Sequence, residues 1–365
     1  MYIWERPDWP RLRWDAATLA QPLAEAHVKL GRLLGRLAGL GFALQLETEL
    51  QATTEEAVKN AEIEGEILNR DSVRSSIARR LGVPDAAPGP VDRRAEGIVE
   101  ITLDATRNCA APLTRERLLA WHAALFPTGR SGLAVIAVGA WRDDAHGPMQ
   151  VVSALFVRET VHFQAPPASR LEAEMQAFVA WFNTPPTIDG ILHAAIAHLW
   201  FVTTHPFDDG NGRIARVLAD MSLARTEQSP QRFYSLSGQI RRDRNSYYGS
   251  LERTQKGRLD ITEHLLWFTE CFSKSIDDAN RACGSILHKA EFWQRHVLTP
   301  FNERQRVLMN RLLDGFEGNL TARKWTIFGK CSMATAQRDI GGLIDRGILV
   351  RNEGGSRNSS YRLTD

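Results

Sequence analysis

The run HPFDDGNGRIAR, from His205 to Arg216, constrains this chain more than any other stretch. Ahead of it, residues 188–204 are apolar at helical spacing, with neither Pro nor Gly after Gly190. Behind it, 214–225 is helical in pattern again. The spacing therefore predicts a helix, a tight loop and the start of a second helix, with Pro206 fixing the exit of the first. Gly210, Asn211 and Gly212 tolerate positive φ and let successive backbone N–H groups turn toward one point. A helix N-terminus with free N–H groups and arginines behind it accepts an anion. Arg213 and Arg216, three apart, project near the same face. His205 titrates near neutrality, and Asp208 or Asp209 offers a hard oxygen ligand suited to Mg²⁺. A base, a metal ligand, an anion cradle and two guanidinium groups on one loop point to phosphate chemistry.

This run resembles the Fic motif, HPFx(D/E)GNGRxxR, and matches all nine of its specified positions within twelve residues. On that motif the chain is identified as a member of the Fic family over roughly residues 50–270. The resemblance implies a mainly α fold: a Fic-type helical bundle with a short β-hairpin flap. It implies transfer of AMP from ATP to a Ser, Thr or Tyr hydroxyl of a target protein. His205 would be the general base and Asp209 the ligand of the Mg²⁺ that bridges the ATP phosphates. Gly210, Asn211 and Gly212 would line the phosphate cradle, Arg213 and Arg216 would clamp it, and Phe207 would pack beneath the loop. The related Doc type, which transfers the γ-phosphate, usually has Lys where this chain has Gly210, so kinase activity is not expected. Removal of AMP at the same site, or nucleotide sensing by a DNA-binding regulator, are the other functions the family pattern leaves open.

Three tryptophans (Trp4, Trp9, Trp14) lie among prolines and arginines in residues 1–16, and are expected to dock an extended arm on a helical body. Periodicity predicts helix over 17–51, broken around 39–41, and a second helical segment over 54–81 with Thr53 or Thr54 as N-cap. Residues 83–92, VPDAAPGPVD, read as a loop. Inside the second segment lies Asn60-Ala-Glu-Ile-Glu64-Gly65. Fic proteins often carry an inhibitory helix of pattern (S/T)xxxE(G/N), whose Glu pairs with the second motif arginine. The resemblance assigns that role to Glu64, acting on Arg216, with Asn60 where the family has Ser or Thr. Gly65, read as mid-helix, costs about 1 kcal/mol relative to Ala, which points to a close approach by a neighbour.

Residues 96–106 and 114–126 read as helices. The short β-prone runs 133–138, 149–157 and 160–164 then read as a strand pair. By resemblance this is the flap, whose edge can pair with an extended target peptide, and Thr160, Val161 and His162 are its expected contact residues. Residues 169–183 read as a helix stopped by Pro185-Pro186, and 241–257 as a helix carrying Tyr247 and Tyr248. The resemblance places a tyrosine of that helix in the adenine pocket, where a flat ring stacks on a base, and Gln255 as a further nucleotide contact. A long helical stretch covers 260–298, with Gly284 as a bend point.

The tail differs in character. Helices are expected over 302–314, 321–328 and 332–346, followed by two β-prone runs (348–352, 360–363) with EGGSRNS between them. Three helices and a Gly-rich hairpin resemble a winged helix-turn-helix, with 332–338 as its recognition helix. Arg338, Arg346, Arg351, Arg357 and Arg362 suffice for phosphate contacts; the same module also serves protein contact. The expected organisation is an N-terminal helical region with the inhibitory helix (1–92), the Fic domain (93–299) and the winged helix (300–365).

Composition narrows the setting. Lys+Arg 45 against Asp+Glu 43 leaves the whole chain without a nucleic-acid signature. Its four cysteines form no CxxC pair, which argues against zinc and a disulfide scaffold and fits a reducing compartment. With no signal-peptide pattern and no apolar run of about 18 residues, no membrane span is expected and the location is cytoplasmic. The expected partners are a hydroxyl-bearing target protein, DNA through residues 300–365, and a second copy of the chain.

Overall fold

The computed structural model describes residues 1–83, 92–145, 147–155, 158–316, 318–352 and 359–364. Most of the expected 83–92 loop, and the Gly-rich hairpin tip with Arg357, lie outside them. The chain divides into two units, Met1–Asn280 and Arg281–Asp365.

In the first unit, Asp15 caps α1 (Ala16–Ala38) by accepting the Ala17 N–H at 2.9 Å. The break at 39–41 follows, then α2 (Phe42–Ile63). Here the structure corrects the sequence reading twice. Helix α2 runs unbroken through Thr53 and Thr54, and the Thr54 hydroxyl donates to the Leu50 carbonyl at 2.6 Å inside the helix instead of capping a new one. The chain breaks later, before α3 (Arg70–Leu81), which Asn69 caps. At that break Gly65 has φ +84°, its N–H reaches the Glu62 carbonyl at 3.0 Å, and the Glu66 N–H reaches Ala61 at 3.1 Å. This is a Schellman closure. Gly65 is thus the left-handed residue that ends α2, not a mid-helix glycine, and nothing lies within 4 Å of where its Cβ would be. Its requirement for glycine is conformational.

Two helices follow, α4 (Arg93–Arg107) and α5 (Arg115–Leu125), then two antiparallel hairpins: β1 (Arg130–Ser131) with β2 (Ala134–Val135), and β3 (Gln150–Leu155) with β4 (Arg158–Gln164). A bulge between Val151 and Val152 shifts the second register, from Val151 opposite Phe163 to Val152 opposite Val161. After α6 (Leu171–Asn183) come α7 (Gly190–Thr204) and α8 (Asn211–Glu227). Every residue of α7 is buried, as expected of a helix apolar on all sides. It packs on α8 at the centre of the unit, with α2 and α4 against α8. The helix expected over 241–257 is two, α9 (Leu236–Arg242) and α10 (Arg244–Gln255), broken at Asp243. Then α11 (Thr262–Arg295) is continuous through Gly284.

The N-terminal arm docks on this body. The Trp4 indole donates to the Gln164 carbonyl at 2.7 Å, Trp9 donates to Glu174 at 3.0 Å, and Ile3 is fully buried. Among the described residues no helix is long and apolar enough to cross a membrane.

The second unit contains α12 (Glu303–Leu313), β5 (Leu320–Thr321), α13 (Ala322–Gly329), α14 (Met333–Asp345), β6 (Leu349–Arg351) and β7 (Ser360–Leu363). Asn302 caps α12 in a capping box. The strands form an antiparallel sheet in the order β5-β7-β6, so the short β5, unseen in the sequence, adds a third strand. Leu308, Met309, Trp325, Ile340 and Leu343 make its core. Buried Asp339 accepts hydrogen bonds from Asn302 at 2.8 Å and Arg304 at 2.9 Å, tying α12 to α14.

Candidate active site

A residue before proline is kept out of the right-handed helical region; His205 takes a left-handed φ of +51° and closes α7 with its N–H on the Phe201 carbonyl at 2.9 Å. That backbone turn aims the imidazole out of the helix. Its Nδ1 lies 3.2 Å from the Val202 carbonyl, so Nδ1 carries the proton and Nε2 the lone pair. Burial pushes the His205 pKa down to about 4, with Arg142 adding to the effect and the Val202 contact opposing it. At neutral pH the ring is an uncharged base.

Arg142 braces the loop from outside. It is buried, and it donates from Nε to the His205 carbonyl at 2.7 Å and from Nη2 to the Pro166 carbonyl at 2.6 Å. Beneath the loop, buried Phe207 stacks on His122 with ring centroids 4.1 Å apart and planes 3° from parallel. His122 accepts the Gly139 N–H at Nδ1 (3.1 Å), so its Nε2–H donates to the Asp209 carbonyl at 3.2 Å. Burial pushes this imidazole also to about 4. Asn211 closes the turn: its amide accepts the Phe207 N–H at 3.0 Å and donates to the Phe207 carbonyl at 2.8 Å.

Gly210, with φ +82°, stands at the N-cap of α8 and supplies no side chain to its first N–H groups. A Cβ there would meet the Phe126 ring at 2.9 Å. The carboxylate of Glu64 lies over this helix N-terminus, with Oε1 only 2.2 Å from where a Cβ on Gly212 would be. A carboxylate of the chain itself thus stands at the helix end where the sequence places the anion cradle. Glu64 Oε1 accepts from Arg216 Nη2 at 2.8 Å. Burial of Arg216 opposes its charge, but Glu64, together with Tyr247 and Tyr248 beside it, outweighs that and raises its pKa. Nε of Arg216 donates to Asn60 Oδ1 at 2.7 Å, and Nη1 lies 3.4 Å from the Tyr247 hydroxyl. Arg213, over the Phe126 ring at 4.8 Å, donates to Glu66 at 2.8 Å.

The other expected residues distribute as follows. The Asp209 carboxylate accepts the Ser131 hydroxyl and the Gly210 N–H and is part-exposed, while Asp208 accepts the Ala137 N–H at 2.9 Å. The part-exposed carboxylates of Asp208 and Asp209 beside this helix end offer the hard oxygens that Mg²⁺ takes, commonly one or two together with substrate phosphates. Arg213 and Arg216, both buried at this helix end, are donors of the kind a phosphate takes. Tyr247 is buried beneath Arg216, with its hydroxyl 3.0 Å from His198, whereas Tyr248 is exposed and packs on Tyr247. Gln255 is buried and donates to Thr203 at 3.3 Å. Thr160, Val161 and His162 lie on β4; Thr160 and Val161 are exposed, and His162 lies 3.1 Å from Glu252 of α10. Sequence reasoning missed Arg142, His122 and the pairing of Glu66 with Arg213.

A family model described as "Fic/DOC family" matches residues 112–223, and one described as "Domain of unknown function (DUF4172)" matches residues 2–83. A curated relative named Protein adenylyltransferase Fic, from Nematostella vectensis, is 36% identical over 117 residues, 31% of this chain and 25% of that protein. A Drosophila yakuba protein of the same name is 33% identical over 28% of this chain and 20% of its own length. A probable protein adenylyltransferase of Aquifex aeolicus is 29% identical over 28% of this chain and 30% of its own length. The chain thus spans less than a third of each of these relatives. Among solved structures, a Fic family protein from Desulfovibrio desulfuricans G20 superposes with a TM-score of 0.55 at 18% identity, covering 96% of this chain and 97% of that one. Fic-1 (aa134–508) from C. elegans gives 0.51 at 23% identity over 74% of each chain. These structures share the fold.

Proposed function

The chain belongs to the Fic family, and on that premise we propose that it is a protein adenylyltransferase arrested by its own Glu64. The observation that carries the reading is the pairing of a neutral His205, its Nε2 lone pair free of the proton, with an anion cradle already filled by a carboxylate. In the reaction the target hydroxyl oxygen attacks the α-phosphorus of ATP and its proton passes to His205 Nε2. The bond to the β-phosphate breaks and pyrophosphate leaves. Asp209 would hold the Mg²⁺, which neutralises phosphate charge. Gly212 and the first N–H groups of α8 face the phosphates, with Arg213 and Arg216 beside them. Among the described residues strand β4 pairs only with β3, and it presents the exposed Thr160 and Val161 on an edge that an extended target segment can extend. Glu64 competes with phosphate for the Arg216 guanidinium and the helix N-terminus, so nucleotide binds poorly or in a pose unfit for attack until it leaves.

The test is incubation of the full chain, and of its Glu64→Gln variant, with ATP labelled at the α- or γ-phosphate in parallel, plus Mg²⁺ and candidate target proteins, self-modification included. Label should reach protein from the α-position alone, and more in the variant. Incorporation from the γ-position would make the protein a kinase instead.

A further inference from the structure

The turn that ends α2 presents two acids to the motif helix. Glu64 is the C-cap residue of the Schellman closure and Glu66 lies two further on, with left-handed Gly65 between them. Glu64 pairs with Arg216 at 2.8 Å, and Glu66 with Arg213 at 2.8 Å. Both guanidinium groups are buried, at 1% and 7% side-chain exposure, where an ion pair is worth more than at a free surface. Arg94 stands 3.9 Å from the other Glu66 oxygen, too far for a hydrogen bond, and Asp209 stands 3.7 Å from Arg213, so Glu66 makes the closer contact with that arginine. Asn60 bridges the two arms from the same helix, donating to the Arg213 carbonyl at 3.2 Å while accepting from Arg216.

We propose that Glu66 is a second inhibitory carboxylate: it withholds Arg213 from the nucleotide as Glu64 withholds Arg216, and the two act as one unit because a single helix end carries both. The inference rests on the nucleotide-binding reading of the site given above. It adds that removing Glu64 alone releases only one arm. Glu66→Gln keeps the side-chain size and removes the charge. Its side chain is 24% exposed, so solvent weakens the pair, and the expected gain is about threefold to fivefold in affinity.

The experiment is calorimetric titration of the full chain with a non-hydrolysable ATP analogue and Mg²⁺. The parent is set beside Glu64→Gln, Glu66→Gln and the double variant, with circular dichroism to show that each is folded. Affinity should rise in both single variants, and the double variant should bind more tightly than either. Transfer of labelled AMP should follow the same order. If Glu66→Gln leaves affinity unchanged in both backgrounds, the second arm does not exist. If affinity falls, Glu66 supports the site and does not inhibit it. If none of the four proteins binds the analogue, the nucleotide-binding reading itself fails, and the inference falls with it.

Discussion

Asn60 holds Arg216 by two hydrogen bonds, one to the side-chain oxygen at 2.7 Å and one to the backbone carbonyl at 3.0 Å, both inside the core. The buried amide also satisfies the Arg213 carbonyl. Replacing Asn60 by Ala strands one buried donor, Arg216 Nε, and removes the amide on the Arg213 carbonyl, at a cost of about 2–3 kcal/mol. Urea unfolding should show a lower midpoint at an unchanged slope. A midpoint equal to that of the parent would mean that Arg216 does not depend on Asn60.

For His205 the expected change on substitution by Ala is a loss of transfer of about 10²- to 10⁴-fold, the range of a general base, with binding of the ATP analogue retained. The acid limb adds a second check. Burial lowers the pKa to about 4, so the base is competent above that value. Transfer should be flat between pH 6 and 8 and fall only as pH drops toward about 4. A limb centred near the unperturbed value of about 6.5, in protein that is still folded, would show that another group sets the rate.

Removing the Glu64 charge should raise transfer. A charge-assisted pair contributes on the order of 1.5–3 kcal/mol, equivalent to a rate gain of roughly tenfold to a hundredfold. Glu64→Gly also loosens the helix end, so Glu64→Gln is the cleaner variant. If instead Glu64 activates water to remove AMP from a modified target, the same variants lose that hydrolysis while gaining transfer. Equal transfer by parent and both variants would reduce Glu64 to an acidic helix-end residue.

Acid stability follows from the buried imidazoles. Desolvation lowers His122, His193 and His264 to about 4, and His198 lies well below its usual value from the same cause, with His264 and Arg216 adding to it. In the unfolded chain each titrates near 6.5, so between pH 6.5 and 4 the unfolded state binds more protons. Stability therefore rises with pH across that window and is lost as pH falls through it, by up to about 3 kcal/mol per imidazole. Thermal unfolding should show Tm dropping steeply below pH 6.5. His264→Gln should make that slope shallower, and an unchanged slope would exclude its part in it.

The motif was legible because its chemistry is contiguous: a helix, a proline, a glycine turn and a helix follow each other within thirty or so residues. The flap strands and the arm of tryptophans were legible for the same local reason. Gly65 was misread because a glycine that ends a helix and one inside a helix look alike until the hydrogen bonds of the turn are seen. Arg142 reaches His205 across 63 residues and Glu66 reaches Arg213 across 147, and contacts of that span leave no periodic mark. His122 sits in a helix of low amphipathic contrast, where it reads as one more buried aromatic. Asp243 breaks a helix that the surrounding polar residues would have continued.

In the proposed arrest Glu64 and Glu66 are presented by the turn that closes α2, so it would last only as long as that turn. An isolated helical peptide relaxes in about 0.1–1 μs, far faster than a typical turnover of about ten per second. Opening of the turn well within one such cycle would let each turnover sample the frayed and closed forms many times over, so basal output would report the fraction of time spent frayed and not a rate of release. Warming, or a binder that grips the unwound 64–69 segment, would tune activity smoothly, as a dimmer does, with no threshold to cross.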